Sequence, residues 1–352
     1  MTTAWFILVA FMLTAYVVLD GFDIGAGVLH IVIARTDEER RTVLQAIGPV
    51  WDGNEVWLIA AGGTIFLAFP LLYASSFSGF YLPLMVLLWL LVGRGISIEF
   101  RAHLQSVIWT NFFDGVFSFS SGLLAIFYGA AFANVIRGVP LNSDHYFFEP
   151  LWTDFRVGPN PGILDWYTCL GALLALVSLS MHGALFLNLK TEGKLQSRAR
   201  GMAIALWVAV VLFTIVETAS TLLLRPELQT NYLHHPAWFM IPIIVVSGLI
   251  LVIYFLAKNR DAAALCASGA FLAAMVVGAA VGLYPTVLPA SGNPQYSLTI
   301  YDAAASPESL RLGLYWWFPG IAIAITYFVF VYRMFRGKAS ESVSAENQRA
   351  PI

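Results

Sequence analysis

VVLDGFDIGAGVLH, residues 17–30, reads as the inner half of a membrane helix except that it holds two acids, Asp20 and Asp23, three positions apart. The apolar run that leads into it starts at Ala4, so 4–30 is long enough to cross a hydrocarbon core of about 30 Å at 1.5 Å per residue. Ionisable groups in such a segment are costly unless they are paired or line a polar interior. Gly21, Gly25 and Gly27 leave one side of the same helix without bulk, which lets a neighbouring helix backbone come close.

The rest of the chain supports reading this stretch as membrane. Of 352 residues 59% are hydrophobic and 11% charged, against roughly a quarter charged in a soluble domain. Nine apolar spans are expected, near 4–30, 54–77, 79–100, 114–136, 162–189, 201–224, 236–257, 262–284 and 312–335, with a break between the second and third at Ser78–Gly79. With the N-terminus outside, 15 of the 19 Lys and Arg fall on the cytoplasmic side, and only Arg137, Arg156, Arg225 and Arg311 fall outside.

The expected architecture is therefore all-α integral membrane, with about nine transmembrane helices in two four-helix bundles plus one peripheral helix, N-terminus outside and C-terminus cytoplasmic. Residues 1–137 form the first bundle, 138–160 an outer loop, 161–285 the second bundle, 286–311 a second outer loop and 312–336 the final helix. The polar tail, 337–352, is expected to be a disordered cytoplasmic segment. A faint internal echo hints at the two halves: Gly25-Ala26 precedes Arg40 by the same interval at which Gly183-Ala184 precedes Arg198. No removable signal peptide is expected, because no Lys or Arg precedes the first apolar run.

Depth places the acids. Sixteen residues below Ala4 the first helix has descended about 24 Å, so Asp20 and Asp23 lie toward the cytoplasmic side. There the second helix contributes Asp52, Asn54 and Glu55 from PVWDGNEVWL, the third Arg94, Glu99 and Arg101 from VGRGISIEFR, and the fourth Asp114. This layer reads either as a buried cluster that passes protons or holds a cation near Asp23 and Asp52, or as an interfacial set of snorkelling acids. Glu217 lies deeper, facing a polar interior, a partner or only local hydrogen bonds, while Asp165 suits a helix cap.

Other chemistry finds little support. Cys169 and Cys266 are too few for a disulfide framework or a zinc site and read as small core hydrophobes. His182 alone stands well inside a span, His30 and His103 fall at cytoplasmic ends, and His145, His234 and His235 fall in outer loops. A haem held by this chain alone is not expected. A net charge of −2 gives no footprint for nucleic acid. From composition alone the rival is a secondary transporter, whose polar groups would gather at the midplane rather than toward one face.

LDGFDIGAG (19–27), the acid-rich turn RTDEERR (35–41), IGPVWDGNEVWLIAAGG (47–63), YASSFSGFY (73–81), RGISIEFR (94–101), MHGALFLNLKTEG (181–193), LYPTVLPAS (283–291) and SLTIYDAAAS (297–306) together resemble subunit II of the bacterial cytochrome bd quinol oxidases. The resemblance implies a subunit of a multi-pass oxidase of the bacterial cytoplasmic (inner) membrane that takes electrons from quinol and reduces O2 to water with cytoplasmic protons. It implies haem b and haem d ligated mainly by a partner, subunit I, against which this chain packs as a pseudo-symmetric homologue. It leaves room for a small single-helix accessory subunit and for a structural quinone or membrane lipid.

Carried over by position, Asp52 matches the family acid of the proton path at the subunit interface and Asp23 the acid of the first-helix motif beside it. Trp57 matches the tryptophan near a lateral oxygen access. Arg94, Glu99 and Arg101 match an Arg-x4-acid-x-Arg spacing suited to balancing a cation. Gly95 follows Arg94 where the family has Pro, and Glu55 stands where it has Gln, so the local charge balance differs.

Overall fold

A computed structural model describes residues 1–339. Among the described residues eight helices are long and apolar enough to cross a membrane. They are α1 (Thr2–Ile33), α5 (Tyr81–Phe100), α6 (Val107–Arg137), α7 (Trp166–Lys190), α8 (Gly193–Leu224), α10 (Met240–Ala257, entered through a 3₁₀ turn from Pro236), α11 (Asp261–Leu283) and α12 (Pro307–Met334). Between them lie α2 (Asp37–Ile47), α3 (Trp51–Ala68), α4 (Pro70–Gly79) and the single-turn α9 (Thr230–His234).

Two local expectations need correction. The second expected span, 54–77, is broken into α3 and α4, because Pro70 has no N–H to continue the ladder and pushes Phe69 out of helical geometry (φ −134°, ψ 64°). The break expected at Ser78–Gly79 does occur, at Phe80. The acid-rich 35–41 stretch is mostly helix rather than turn. Thr36 accepts from the Glu39 N–H and the Glu39 carboxylate accepts from the Thr36 N–H, a reciprocal cap that starts α2.

α1 and α7 form the centre. Every residue from Asp20 to Gly27 and from Ser178 to Asn188 is buried, so each helix is surrounded at that level. They cross at Gly25 and Gly183 with backbone against backbone: a Cβ at Gly25 would lie 1.9 Å from the Leu179 carbonyl oxygen, and one at Gly183 2.2 Å from the Gly25 carbonyl carbon. α1 also packs on α3, α6 and α11, α7 on α6, α8 and α11, α5 on α6, and α12 on α3. The two echoing arginines serve different acids, Arg40 pairing with Asp114 and Arg198 with Glu39.

Elsewhere the helices present apolar side chains outward, among them Ile59, Phe66, Trp89, Leu223, Trp316 and Ile323, as a surface facing lipid or a partner must. At the end opposite α2 the two long loops, 138–165 and 284–306, fold over the helices together. Thr286–Leu288 (β1) and Leu298–Thr299 (β2) make a short antiparallel ladder, and Val139 bridges to Ala290. At the other end Ala339 donates to the Lys190 carbonyl at 2.8 Å. Beyond it the tail expectation falls on 340–352, outside the described residues.

Candidate functional site: a buried charge cluster on the first helix

Tyr16, Asp20, Asp23, Gly27 and His30 recur at i, i+4, i+7, i+11 and i+14, so they share one stripe of α1. That stripe meets polar groups from four other helices. Arg94 of α5 donates to both Asp20 oxygens, Nη1 to Oδ2 at 2.8 Å and Nη2 to Oδ1, and both side chains are wholly buried. Nη1 of Arg94 also stands 4.0 Å from Glu55 Oε2. Asp23 Oδ2 accepts from Asn54 Nδ2 at 2.7 Å; Asn54 donates as well to the Leu19 carbonyl and accepts from Tyr332 of α12 at 2.9 Å. Tyr16 donates to Tyr128 of α6 at 2.8 Å.

Three carboxyl groups, Asp20, Asp23 and Glu55, thus converge on one guanidinium. A side-chain oxygen of Asp23, one of Glu55 and the Arg94 Nε are buried without a protein partner. Bidentate pairing satisfies Asp20 geometrically, which is what makes a buried arginine-carboxylate pair tolerable. Asp23 is held by a neutral amide instead.

Asp52 lies outside this cluster. Helical phase separates it from Asn54, Trp57, Ala61, Thr64 and Ala68, the inward stripe of α3, and sets it on the outward stripe with Val56, Ile59 and Phe66. Among the described residues no three His, Cys, Asp or Glu side chains converge as a metal site, around Asp23 and Asp52 or elsewhere.

Against this geometry, the family model for cytochrome bd terminal oxidase subunit II matches residues 1–335. The chain belongs to that family. It is 32% identical to the probable cytochrome oxidase subunit 2 of Haemophilus influenzae, covering 98% of this chain and 97% of the relative. It is 32% identical to the cytochrome bd ubiquinol oxidase subunit 2 of Bacillus subtilis (88% of each) and 31% identical to the cytochrome bd-I ubiquinol oxidase subunit 2 of Escherichia coli (93% and 91%). The bd oxidase structure from Geobacillus thermodenitrificans shares the fold, with a TM-score of 0.73 at 17% identity over 95% of this chain and 98% of that one. The transporter reading is thereby set aside.

The three residues of the bd-family RGISIEFR motif do not act together. Arg94 points inward to Asp20. Glu99 is exposed on the outward stripe of α5 with Trp89, Val92 and Ile96. Arg101 joins a separate cluster, donating to Asp114 through Nε at 2.6 Å and Nη2 at 3.0 Å and to Asp37 at 2.6 Å. Asp114 also accepts from Arg40 at 3.2 Å and meets His30 Nε2 at 2.6 Å. Trp57 is buried between Phe11 and Phe328, with ring centroids at 5.8 and 5.5 Å and its indole N–H unpartnered.

His182 has both ring nitrogens engaged, Nδ1 with Ser268 Oγ and Nε2 with the Val18 carbonyl, each at 3.0 Å. Glu217 is buried between α7 and α8, its Oε1 3.3 Å from where a Cβ on Gly171 would sit. Cys169 is half-buried and Cys266 exposed, so neither is the small core hydrophobe expected.

A third charge cluster, unforeseen from sequence, pins the 138–165 loop. Arg137 donates to the carboxylates of Asp165 and Glu149, to Asn134 Oδ1 at 2.6 Å and to the Gly162 carbonyl at 3.0 Å. Asp165 at the same time caps α7, accepting from the Tyr167 and Thr168 N–H groups at 2.9 Å. Burial pushes the Glu149 carboxyl up from 4.5 to about 7, against the pull of Arg137.

In that window the folded chain keeps a proton that the unfolded chain has released. Stability therefore falls as pH rises from about 4.5 to about 7 and is flat above. Proteolysis of the 138–165 loop, followed across this range, should show the native loop becoming more susceptible as pH rises and Glu149→Gln removing the trend. Equal slopes in the two proteins would rule out Glu149 as the titrating group.

Proposed function

We propose that this chain is the haem-free, obligatory half of a bd-type quinol oxidase of the bacterial inner membrane. It stabilises a haem-bearing subunit I and supplies that partner with protons and oxygen. The observation that carries the reading is the α1 cluster: excess carboxyl groups toward one end of a helix bundle, next to an apolar outward face that carries Asp52 and Glu99. Nine crossings among the described residues, counting α3 with α4 as one, two related four-helix halves with α12 peripheral, and the 34–50 end in the cytoplasm agree with the distribution of Lys and Arg.

The histidines fit a haem poorly. His182 has no free nitrogen, and His30 Nε2 is engaged by Asp114. Haem b and haem d of the complex are thus assigned to subunit I, where quinol oxidation and O2 reduction take place. A single-helix accessory subunit, lipid or a structural quinone has room on the apolar surface.

What this chain's residues do is simpler. The outward stripes of α3 and α5, apolar along their length and acidic at one end through Asp52 and Glu99, form the face for subunit I. Asp52 collects cytoplasmic protons at that face; Glu55, one turn on, and Asp23 hold them further in. Arg94 fixes Asp20 and keeps the excess of acid from growing. Protons need such acids and hydroxyls, since apolar packing does not conduct them. Oxygen dissolves in lipid and needs only an apolar passage, for which buried Trp57 between α3 and α12 forms a wall. Each charge drawn from one side across the bilayer conserves about 2.3 kcal/mol per 100 mV.

Asp52→Asn in the purified two-subunit oxidase should slow proton uptake and O2 consumption with haem content unchanged. Native rates across the pH range would take Asp52 off the path. Purifying the tagged chain from its native membrane should bring down subunit I with the full haem spectrum. A complete haem spectrum and quinol oxidase activity in the isolated chain would overturn the assignment.

A further inference from the structure

The cluster around Asp114 lies at the same end of the molecule as α2, two helical turns below Asp23 on the α1 stripe. α1 and α6 run antiparallel in a fixed register: Tyr16 meets Tyr128, Gly27 meets Ser118, and His30 meets Asp114. By that register Ser121 stands at the level of Asp23. Gly27 lets the two helices close up there, since a Cβ on it would fall 2.1 Å from Ser121 Oγ. The polar groups of α6 at 114, 118 and 121 repeat at i, i+4 and i+7, so α6 carries a stripe that faces the α1 stripe.

The members of this seam differ in how they are satisfied. Ser118 is committed, donating to the Gly27 carbonyl at 2.8 Å and accepting from the Ile31 N–H at 3.4 Å. Three other atoms, His30 Nδ1, Ser121 Oγ and Asp23 Oδ1, are buried with no protein partner. They lie along about 10 Å of helix, the rise of seven residues. Buried polar atoms of this kind are where internal water binds.

Asp114 is an acceptor only, so the neutral His30 ring places its hydrogen on Nε2 and leaves Nδ1 open to receive one. Arg40, Arg41 and Arg101 face Asp37 and Asp114, so a proton on the His30 ring adds to a cluster that already carries one net positive charge, and it stays there only in transit. Water reaches its rim, where the Asp37 and Arg40 side chains are 51% and 24% exposed and Arg41 pairs with Asp37.

We infer that the α1–α6 seam is a second proton route lying wholly within this chain, in which His30 takes protons at the cytoplasmic rim and Ser121 passes them to Asp23. The step makes and breaks only N–H and O–H bonds. His30 Nδ1 binds a proton arriving through rim water, and the resulting imidazolium is stabilised by Asp114. Nδ1 then releases it to water held by Ser121 Oγ, which hands it to Asp23 Oδ1. The Nε2–H bond to Asp114 is kept throughout, and the ring ends neutral as it began. This route rests on the reading of Asp23 as a proton-holding group, and it converges there with the path from Asp52.

The test uses the assembled oxidase, fully reduced and mixed with O2, with proton uptake followed by a pH-indicator dye and haem content by spectrum. His30→Gln keeps an amide N–H for Asp114 but cannot hold the proton; Ser121→Ala removes only the hydroxyl. Each should slow uptake several-fold while the haem spectrum is unchanged, with Asp23→Asn slower still. Uptake at the native rate in His30→Gln and Ser121→Ala, with Asp23→Asn slow, overturns the seam and leaves the proposed function standing. Slow uptake in His30→Phe with native uptake in His30→Gln reduces the His30–Asp114 contact to a structural lock and also overturns it. Native uptake in Asp23→Asn removes both readings.

Discussion

Arg94→Met should be the most damaging single substitution in the first half of the chain. It removes the only base touching Asp20 among the described residues and strands a carboxylate that is wholly buried. Breaking a buried pair from one side costs about 3–5 kcal/mol, because the remaining charge is left without compensation. The expected result is a sharp loss of assembled oxidase and a lowered midpoint of thermal inactivation. Replacing both partners, Asp20→Leu with Arg94→Met, should restore much of that stability, since apolar pairs of similar volume often match or exceed a buried ion pair. The restored protein would show whether the pair is needed for activity as well as for folding. If the single and double variants are equally unstable, the pair is not what holds α1 to α5.

Gly25→Ala should rival it by a different mechanism. The added methyl would lie 1.9 Å from the Leu179 carbonyl oxygen and 2.8 Å from the Gly183 N, both backbone atoms with no side-chain freedom to yield. Overpacking costs about 1–3 kcal/mol and more where nothing can give, so the upper end is expected here, with α1 and α7 pushed apart at the centre of the molecule. Gly62→Ala and Gly115→Ala are the controls: nothing lies within 4 Å of either new methyl, and each should be neutral or slightly stabilising. Size-exclusion profiles and thermal inactivation of the four proteins decide the matter. A Gly25→Ala protein as stable as the Gly62→Ala control would contradict the close crossing.

Composition and hydropathy carried the all-helical membrane class, because a long apolar run has few other ways to satisfy its backbone. The α2 helix was also legible, through the Thr36-x-x-Glu39 cap, but an acid-rich stretch between two apolar spans reads first as a turn. The phase of α3 was written in its sequence as well: Asn54, Trp57, Ala61 and Thr64 recur at helical spacing, which puts Asp52 on another face. Depth alone had grouped Asp52 with Asp23, because depth fixes a residue's position along an axis and leaves its direction around it open.

The pairings themselves needed the fold. Nothing local distinguishes Arg94, which reaches Asp20, from Arg101, which reaches Asp114, since one pair spans 74 positions and the other 13. Likewise Arg137 finds Glu149 only because the loop between them folds back over the end of α6.

The link between Asp20 and Arg94 also sets an order of events during synthesis. α1 leaves the ribosome before α5 and α7, and its best window has a mean hydropathy of 2.1. Asp20 and Asp23 follow that window into the membrane. An unpaired Asp costs about 2.5–3.5 kcal/mol at a helix centre and less toward an end. Asp20 must wait 74 residues for its guanidinium. Gly25 waits longer still for Gly183. Until then the inner half of α1 is a poor resident of lipid, and the nascent chain depends on the insertion machinery or on a neighbouring polypeptide to shelter it.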